Sequence, residues 1–215
     1  WAGPHHLHYT ALPAWACTDL DADHERRKVY GLVTNSARSQ VAMVNVSSGN
    51  LVDLDRANPA YGFIPVGEAP VQIRVTEDGC AGYVVNHGTC DLSLVNVNRV
   101  LDGAGYVVVP GSSSGTPVSR LALTTASGRL LVRPYQLALR PEHLDALAPI
   151  QACTGLSGHR GFITLPGCGL VAEVNLDTGR ILQSRRVTAD GAEPAGASPA
   201  CPSECLDRVG DAVDP

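Results

Sequence analysis

The chain has 215 residues and a formal net charge of −5; 44% of it is hydrophobic, 5% aromatic and 17% charged, with 22 Gly, 15 Pro and 7 Cys. This length suits one domain or two small ones, and a core can form without obligatory staples. The acidic balance argues against a nucleic-acid partner, and no apolar run approaches the roughly 20 residues of a transmembrane helix.

Residues 1–28 read as an N-terminal extension. The chain opens on Trp1 rather than Met, as expected if a leader has been removed or if this is a piece of a longer polypeptide. His5, His6 and His8 cluster beside Trp1, Tyr9 and Trp15. Clustered imidazoles suit a transition metal, but without Cys, Asp or Glu at fixed spacing the signal is weak against an ordinary surface terminus. Asp19, Asp21 and Asp23 alternate ahead of Glu25 like the start of a calcium loop. His24 and Tyr30 stand where such a loop needs Gly and Glu, so a solvated acidic linker competes with the calcium reading. The sequence fixes no cofactor, with calcium as the candidate for this stretch.

From Val29 onward the chain repeats itself. Leu32-Val33-Thr34-Asn35 lies over Tyr83-Val84-Val85-Asn86, 51 residues on, and with no gap Val41-Ala42-Met43-Val44-Asn45-Val46 then falls on Leu92-Ser93-Leu94-Val95-Asn96-Val97. A further offset of 79 residues lays Phe162-Ile163-Thr164-Leu165 and Val171-Ala172-Glu173-Val174-Asn175-Leu176 on the same pattern. The turns match as well: Ser48-Gly49 corresponds to Thr178-Gly179. A degraded copy is expected in the longer gap, where Pro117–Leu123 and Ser127–Val132 echo Pro70–Val75 and Asp78–Val85. Short β-branched segments bounded by Gly, Pro, Asn or Asp are strands. Four such strands per unit of about 40–50 residues predict an all-β fold, a β-propeller of four-stranded antiparallel blades.

The blades are expected over 29–190, with a short helical insertion over 141–147. Residues 191–215 read as a Cys/Pro-rich loop or the start of a further blade. Gly111-Ser112-Ser113-Ser114-Gly115 satisfies the G-x-S-x-G nucleophile pattern, yet Thr116-Pro117 opens another strand where an elbow needs a helix, so an inter-strand loop is expected there. Asn45-Val46-Ser47 matches a glycosylation acceptor. The recurrence of this Asn at 96 and 175 points instead to a structural role, bonding backbone at the strand end.

The cysteines are 17, 80, 90, 153, 168, 201 and 205. Proximity suggests the disulfides Cys80–Cys90, Cys153–Cys168 and Cys201–Cys205, leaving Cys17 unpaired and available to a partner chain or to absent sequence. A zinc reading competes, but pairs at zinc-ligand spacing are lacking. The disulfide reading implies an extracellular, periplasmic or outer-surface location.

Leu32–Asn35, Tyr83–Asn86, and Pro65-Val66-Gly67-Glu68-Ala69-Pro70 ahead of a Glu-Asp-Gly turn resemble the YVTN-type β-propeller repeat of secreted and cell-surface proteins of bacteria and archaea. The resemblance covers roughly residues 29–190 and implies a propeller that closes with about seven blades. About four fit in this chain, so a second polypeptide or the remainder of a precursor is expected to complete it, because an open array leaves strand edges to pair with strangers. His87 and His159 lie in inter-strand loops and are candidates to line the central channel. The first functional reading is a secreted or cell-surface binding or scaffold module. The rivals are a propeller-framed enzyme (metal-dependent and lactone-hydrolase-like, or a quinoprotein-type dehydrogenase subunit) and a structural subunit of an extracellular filament or coat. With no catalytic set in sight, the reading leans away from an enzyme; fold alone does not choose.

Overall fold

A computed structural model describes residues 7–10, 30–53, 62–97, 100, 118–141 and 158–205. The expectations for His5, His6, Cys17, Asp19, Asp21, Asp23, Cys153, the 111–115 loop and the insertion beyond residue 141 lie outside them. Of these residues 54% are in strands and 4% in helix, so the fold is all-β.

The first sheet runs β1 (Leu7–Thr10), β2 (Tyr30–Asn35), β3 (Gln40–Asn45), with the outer edge of β3 shared by two short strands, β4 (Asn50–Leu51) and β5 (Phe63–Pro65). Leu7 pairs with Val33 and His8 with Leu32, so a segment read as an extension ahead of the blades supplies a strand of this sheet. The second sheet is a meander of β6 (Pro70–Val75), β7 (Ala81–Asn86), β8 (Asp91–Asn96) and β9 (Val118–Ala122). A two-stranded hairpin follows, β10 (Thr124–Thr125) with β11 (Gly128–Arg129). The last sheet is β12 (Leu137–Leu139), β13 (Arg160–Leu165), β14 (Leu170–Asn175), β15 (Ile181–Thr188) and β16 (Gly191–Pro194). Every pairing within these sheets is antiparallel.

These sheets are propeller blades packed face to face, and the middle one shows it best. All six residues of β7 are buried. Alternation sends Tyr83 and Val85, with Leu92 of β8, to one face and Val84, with Ile73 and Val95, to the other. The Val84 face packs with Leu32, Val41, Met43 and Ile64 of the first sheet. The Tyr83 face packs with Leu123 and Val132 near the hairpin and with Leu137, Ile163, Leu165 and Ala172 of the last sheet. Burying such side chains contributes about 1.5–3 kcal/mol each against exposure. The inner strand β6 lies between β1 and β12.

The degraded unit is resolved differently from the sequence reading. Residues 118–122, expected to open a third blade, are the fourth strand of the second, where Leu121 faces Leu92. The outer edge of β8 takes this strand, and among the described residues the third unit keeps only its hairpin, which agrees with the rule that open edges are covered by what is at hand. Ala138, just ahead of the expected helical insertion, lies in β12 opposite Phe162. Phe162 is 42% exposed, because Gly161, Ile163 and Leu165 take the core side of β13 and leave Phe162 on the other.

The repeated turns explain the recurring residues. Asn45 Oδ1 accepts from the backbone N–H of Ser47 and Ser48, and Asn175 Oδ1 accepts from those of Asp177 and Thr178. Each turn then needs left-handed backbone four residues after the Asn, supplied by Gly49 and Gly179, both at φ +72°. The opposite ends of the blades carry a second equivalent position, filled by Ser39 (φ +54°), Cys90 (φ +55°) and Gly169 (φ +60°).

Disulfides replace the short loops expected. Cys90 pairs with Cys205 and Cys168 with Cys201, across Cα separations of 6.1 and 5.3 Å. Cys80–Cys90, Cys153–Cys168 and Cys201–Cys205 are therefore not formed; Cys80 is disulfide-bonded, but not to Cys90. The physical reason lies in the repeat: Cys90 and Cys168 occupy matching hairpin tips of two blades, and residues 195–205 pass over both tips as a strap. The Glu204 N–H donates to Leu131 O at 2.7 Å, and its carboxylate accepts from the Arg133 N–H at 2.9 Å. The strap thus holds the segment that follows the β10–β11 hairpin.

Candidate functional site

Where the inner strands of the second and last sheets meet, a cavity of about 370 Å³ opens. It is lined by the end of β6 and the residues after it (Arg74, Val75, Thr76, Glu77), by the end of β12 (Ala138, Leu139) with Arg140 and Pro141, and by His159 and Arg160. The strand pattern places these groups. Gln72 and Arg74 share a face of β6 turned toward β12: the Leu137 N–H donates to Gln72 Oε1 at 2.6 Å, and Arg74 Nε donates to Leu137 O at 3.1 Å. Two side chains therefore satisfy the inner edge of β12 at Leu137. The N–H of Arg140 bonds Arg160 O at 2.8 Å, so alternation turns the N–H and C=O of Leu139 to the same inner edge, beside the cavity.

His159 is 4% exposed and shares a 2.9 Å hydrogen bond between its Nδ1 and the hydroxyl of Tyr83, itself fully buried. Their rings meet edge to face at 5.9 Å. The bond is an anchor: a buried imidazole or phenol without a partner costs about 1–3 kcal/mol. Among the described residues, the charged groups lining the cavity are mostly cationic. Glu173 Oε1 lies 3.6 Å from Arg160 and 3.9 Å from Arg140, while its Oε2 accepts from Gln183 Nε2 at 2.6 Å. One carboxylate oxygen at these distances leaves most of the ten N–H donors of two guanidinium groups open to solvent or ligand.

Of the two histidines expected at the channel, His159 lines this cavity. His87 does not; it sits at the β7–β8 tip, where its Nδ1 donates to Pro134 O at 3.1 Å and its ring meets Tyr135 edge to face at 6.2 Å. His8 lies in β1. Among the described residues no group of three or more His, Cys, Asp or Glu is placed to hold a metal ion. Arg74, Arg140 and Arg160 escaped the sequence reading. The alternation of Gln72 and Arg74 within an otherwise apolar strand was their one signal, since a polar face on an inner strand marks where two blades meet.

A second polar cluster lies inside the middle sheet. Asn86 Nδ2 donates to Asp91 Oδ1 and to Ser93 Oγ, both at 2.9 Å, Thr89 Oγ1 donates to Asp91 Oδ1 at 2.8 Å, and Arg120 pairs with Asp91 Oδ2. The Gly67 N–H reaches Ser93 Oγ at 3.3 Å, and a Cβ on Gly67 would collide with Asn86. This network ties the entry of β6 to the β7–β8 hairpin and leaves Asn86 Oδ1 and Arg120 Nε without a partner among the described residues.

Blades, inner-strand crevice and cavity together define an all-β protein of β-propeller type. No family model matches the chain, and no curated protein matches it. Among solved structures it is similar to the dihydro-heme d1 dehydrogenase NirN in complex with DHE (12% identity, TM-score 0.43, covering 79% of this chain and 26% of that one). It is also similar to a virginiamycin B lyase from Staphylococcus aureus (10% identity, TM-score 0.42, 89% and 59%). A third similarity is to the hydrazine synthase of Kuenenia stuttgartiensis (13% identity, TM-score 0.28, 69% and 62%). The chain thus spans less than two thirds of the length of each, and its fold assignment stands on its own sheet topology.

Proposed function

We propose that this chain is part of a secreted or cell-surface propeller of the YVTN-repeat kind and works as a binding module, with the cavity between β6 and β12 as its binding site. The observation that carries this reading is the cavity itself, a concave space between blades with convergent polar groups over a buried His159–Tyr83 pair. Five disulfide-bonded cysteines support an oxidising compartment. No helix among the described residues is long and apolar enough to cross a membrane. Completion of the ring by further blades is supported by the outer face of the last sheet, where Phe162 and Val187 are 42% and 58% exposed beside Gln183 and Arg185. A neighbouring blade would cover that face.

The experiment is a fragment screen by NMR on the 215-residue chain, read at the His159 ring and the Arg74 and Arg160 signals. Fragments that move these signals in the wild type and not in Ala138→Trp, where the indole fills the cavity, support the reading. A screen in which nothing moves them overturns it.

A further inference from the structure

The chemistry of the cavity wall specifies a class of ligand. Among the described residues three arginines, Arg74, Arg140 and Arg160, line it with one acidic residue, Glu77. Arg74 is spent in part on Leu137 O. Arg140 and Arg160 are 58% and 49% exposed at the side chain and share Glu173, which is 9% exposed and receives Gln183 on its other oxygen. Glu173 therefore lies beside the two arginines as their counter-charge, on the face of the last sheet that carries Phe162 and Gln183. Guanidinium forks match the planar oxygens of carboxylate and the oxygens of phosphate, and such charge-assisted bonds are about twice as strong as neutral ones. The Leu139 edge adds a backbone N–H donor to the same wall.

We propose that the cavity takes a small oxyanion: a carboxylate- or phosphate-bearing molecule gripped by Arg140 and Arg160, with Arg74 and the buried His159 forming the floor. This rests on the reading of the cavity as the binding site and adds the charge of what it holds. A volume of about 370 Å³ is at the lower end for ligand sites, which suits a single small molecule or the charged end of a longer one.

Citrate, inorganic phosphate and uncharged glucose are titrated separately into the whole chain at low ionic strength, followed by calorimetry and by the His159 ring signal. Citrate or phosphate is expected to bind where glucose does not, and the preference between the two separates the carboxylate from the phosphate form. Arg160→Gln is expected to weaken the anion about fivefold, a discount for its partial exposure. Glu173→Gln, which removes the competing carboxylate, is expected to strengthen it by a similar factor, and Arg140→Lys should retain part of the affinity. Anions that leave the His159 signal unmoved while an uncharged fragment shifts it would overturn the oxyanion assignment and keep the binding cavity. Equal citrate affinity in wild type and Arg160→Gln would also overturn it. If neither anion nor fragment moves the signal, both readings fall.

Discussion

Replacing Cys90 and Cys205 together by serine removes the staple that ties the strap to the middle blade, and the structure sets the size of the effect. The bridge closes 115 residues of chain, whereas Cys168–Cys201 closes 33. On the loop-entropy account these constrain the unfolded chain by about 5 and about 4 kcal/mol respectively, a difference of about 1 kcal/mol set by the logarithm of the loop lengths. Serine at position 90 keeps the left-handed backbone strain unchanged, so the comparison isolates the cross-link. Denaturant unfolding of the wild type, Cys90→Ser/Cys205→Ser and Cys168→Ser/Cys201→Ser, followed by circular dichroism, is the assay. The longer-loop variant should be the least stable of the three. If the Cys168→Ser/Cys201→Ser variant loses as much or more, the strap does not act through chain entropy and the reasoning fails.

Tyr83→Phe should cost about 1–3 kcal/mol, because it strips a buried imidazole nitrogen of its partner, and thermal unfolding at fixed pH checks this; a neutral result would mean that the pair is not buried as described. Gly179→Ala should destabilise more than Gly49→Ala, although both sit at φ +72°, because a Cβ at 179 runs into the backbone carbonyl of Ala122 while one at 49 meets open space. Each carries the left-handed penalty of about 1–2 kcal/mol, so denaturation midpoints should separate the pair in that order.

The blades were legible because their signals are local. Leu32–Asn35, Tyr83–Asn86 and Phe162–Leu165 are short apolar strands followed by a fixed turn, and a strand–turn–strand unit writes its period into neighbouring residues. What failed was non-local. Cys90 stands ten residues from Cys80 yet bonds Cys205, because its partner is chosen by where a strap crosses two hairpin tips, and spacing carries no trace of that. Residues 118–122 repeat the first strand of a unit but complete the previous sheet, a choice made by the open edge of β8. The cavity was legible only by halves: His159 was singled out from its loop position, whereas Arg140 and Arg160 become a pair through Glu173 on the adjacent strand.

The strap also dictates an order of events. A chain that enters an oxidising compartment N-terminus first presents Cys17, Cys80, Cys90, Cys153 and Cys168 well before Cys201 and Cys205 arrive. Until then Cys90 and Cys168 have no native mates, and the nearest thiol to Cys90 along the chain is Cys80. Early oxidation therefore favours trapped, wrongly joined species, and reaching the native pairs requires a thiolate to attack and exchange partners once residues 201–205 emerge. Production in a host compartment that supplies an isomerase should accordingly raise the yield of correctly joined chain, and the cost of that help is the one this protein accepts in return for fastening two blades with a strap that is made after both.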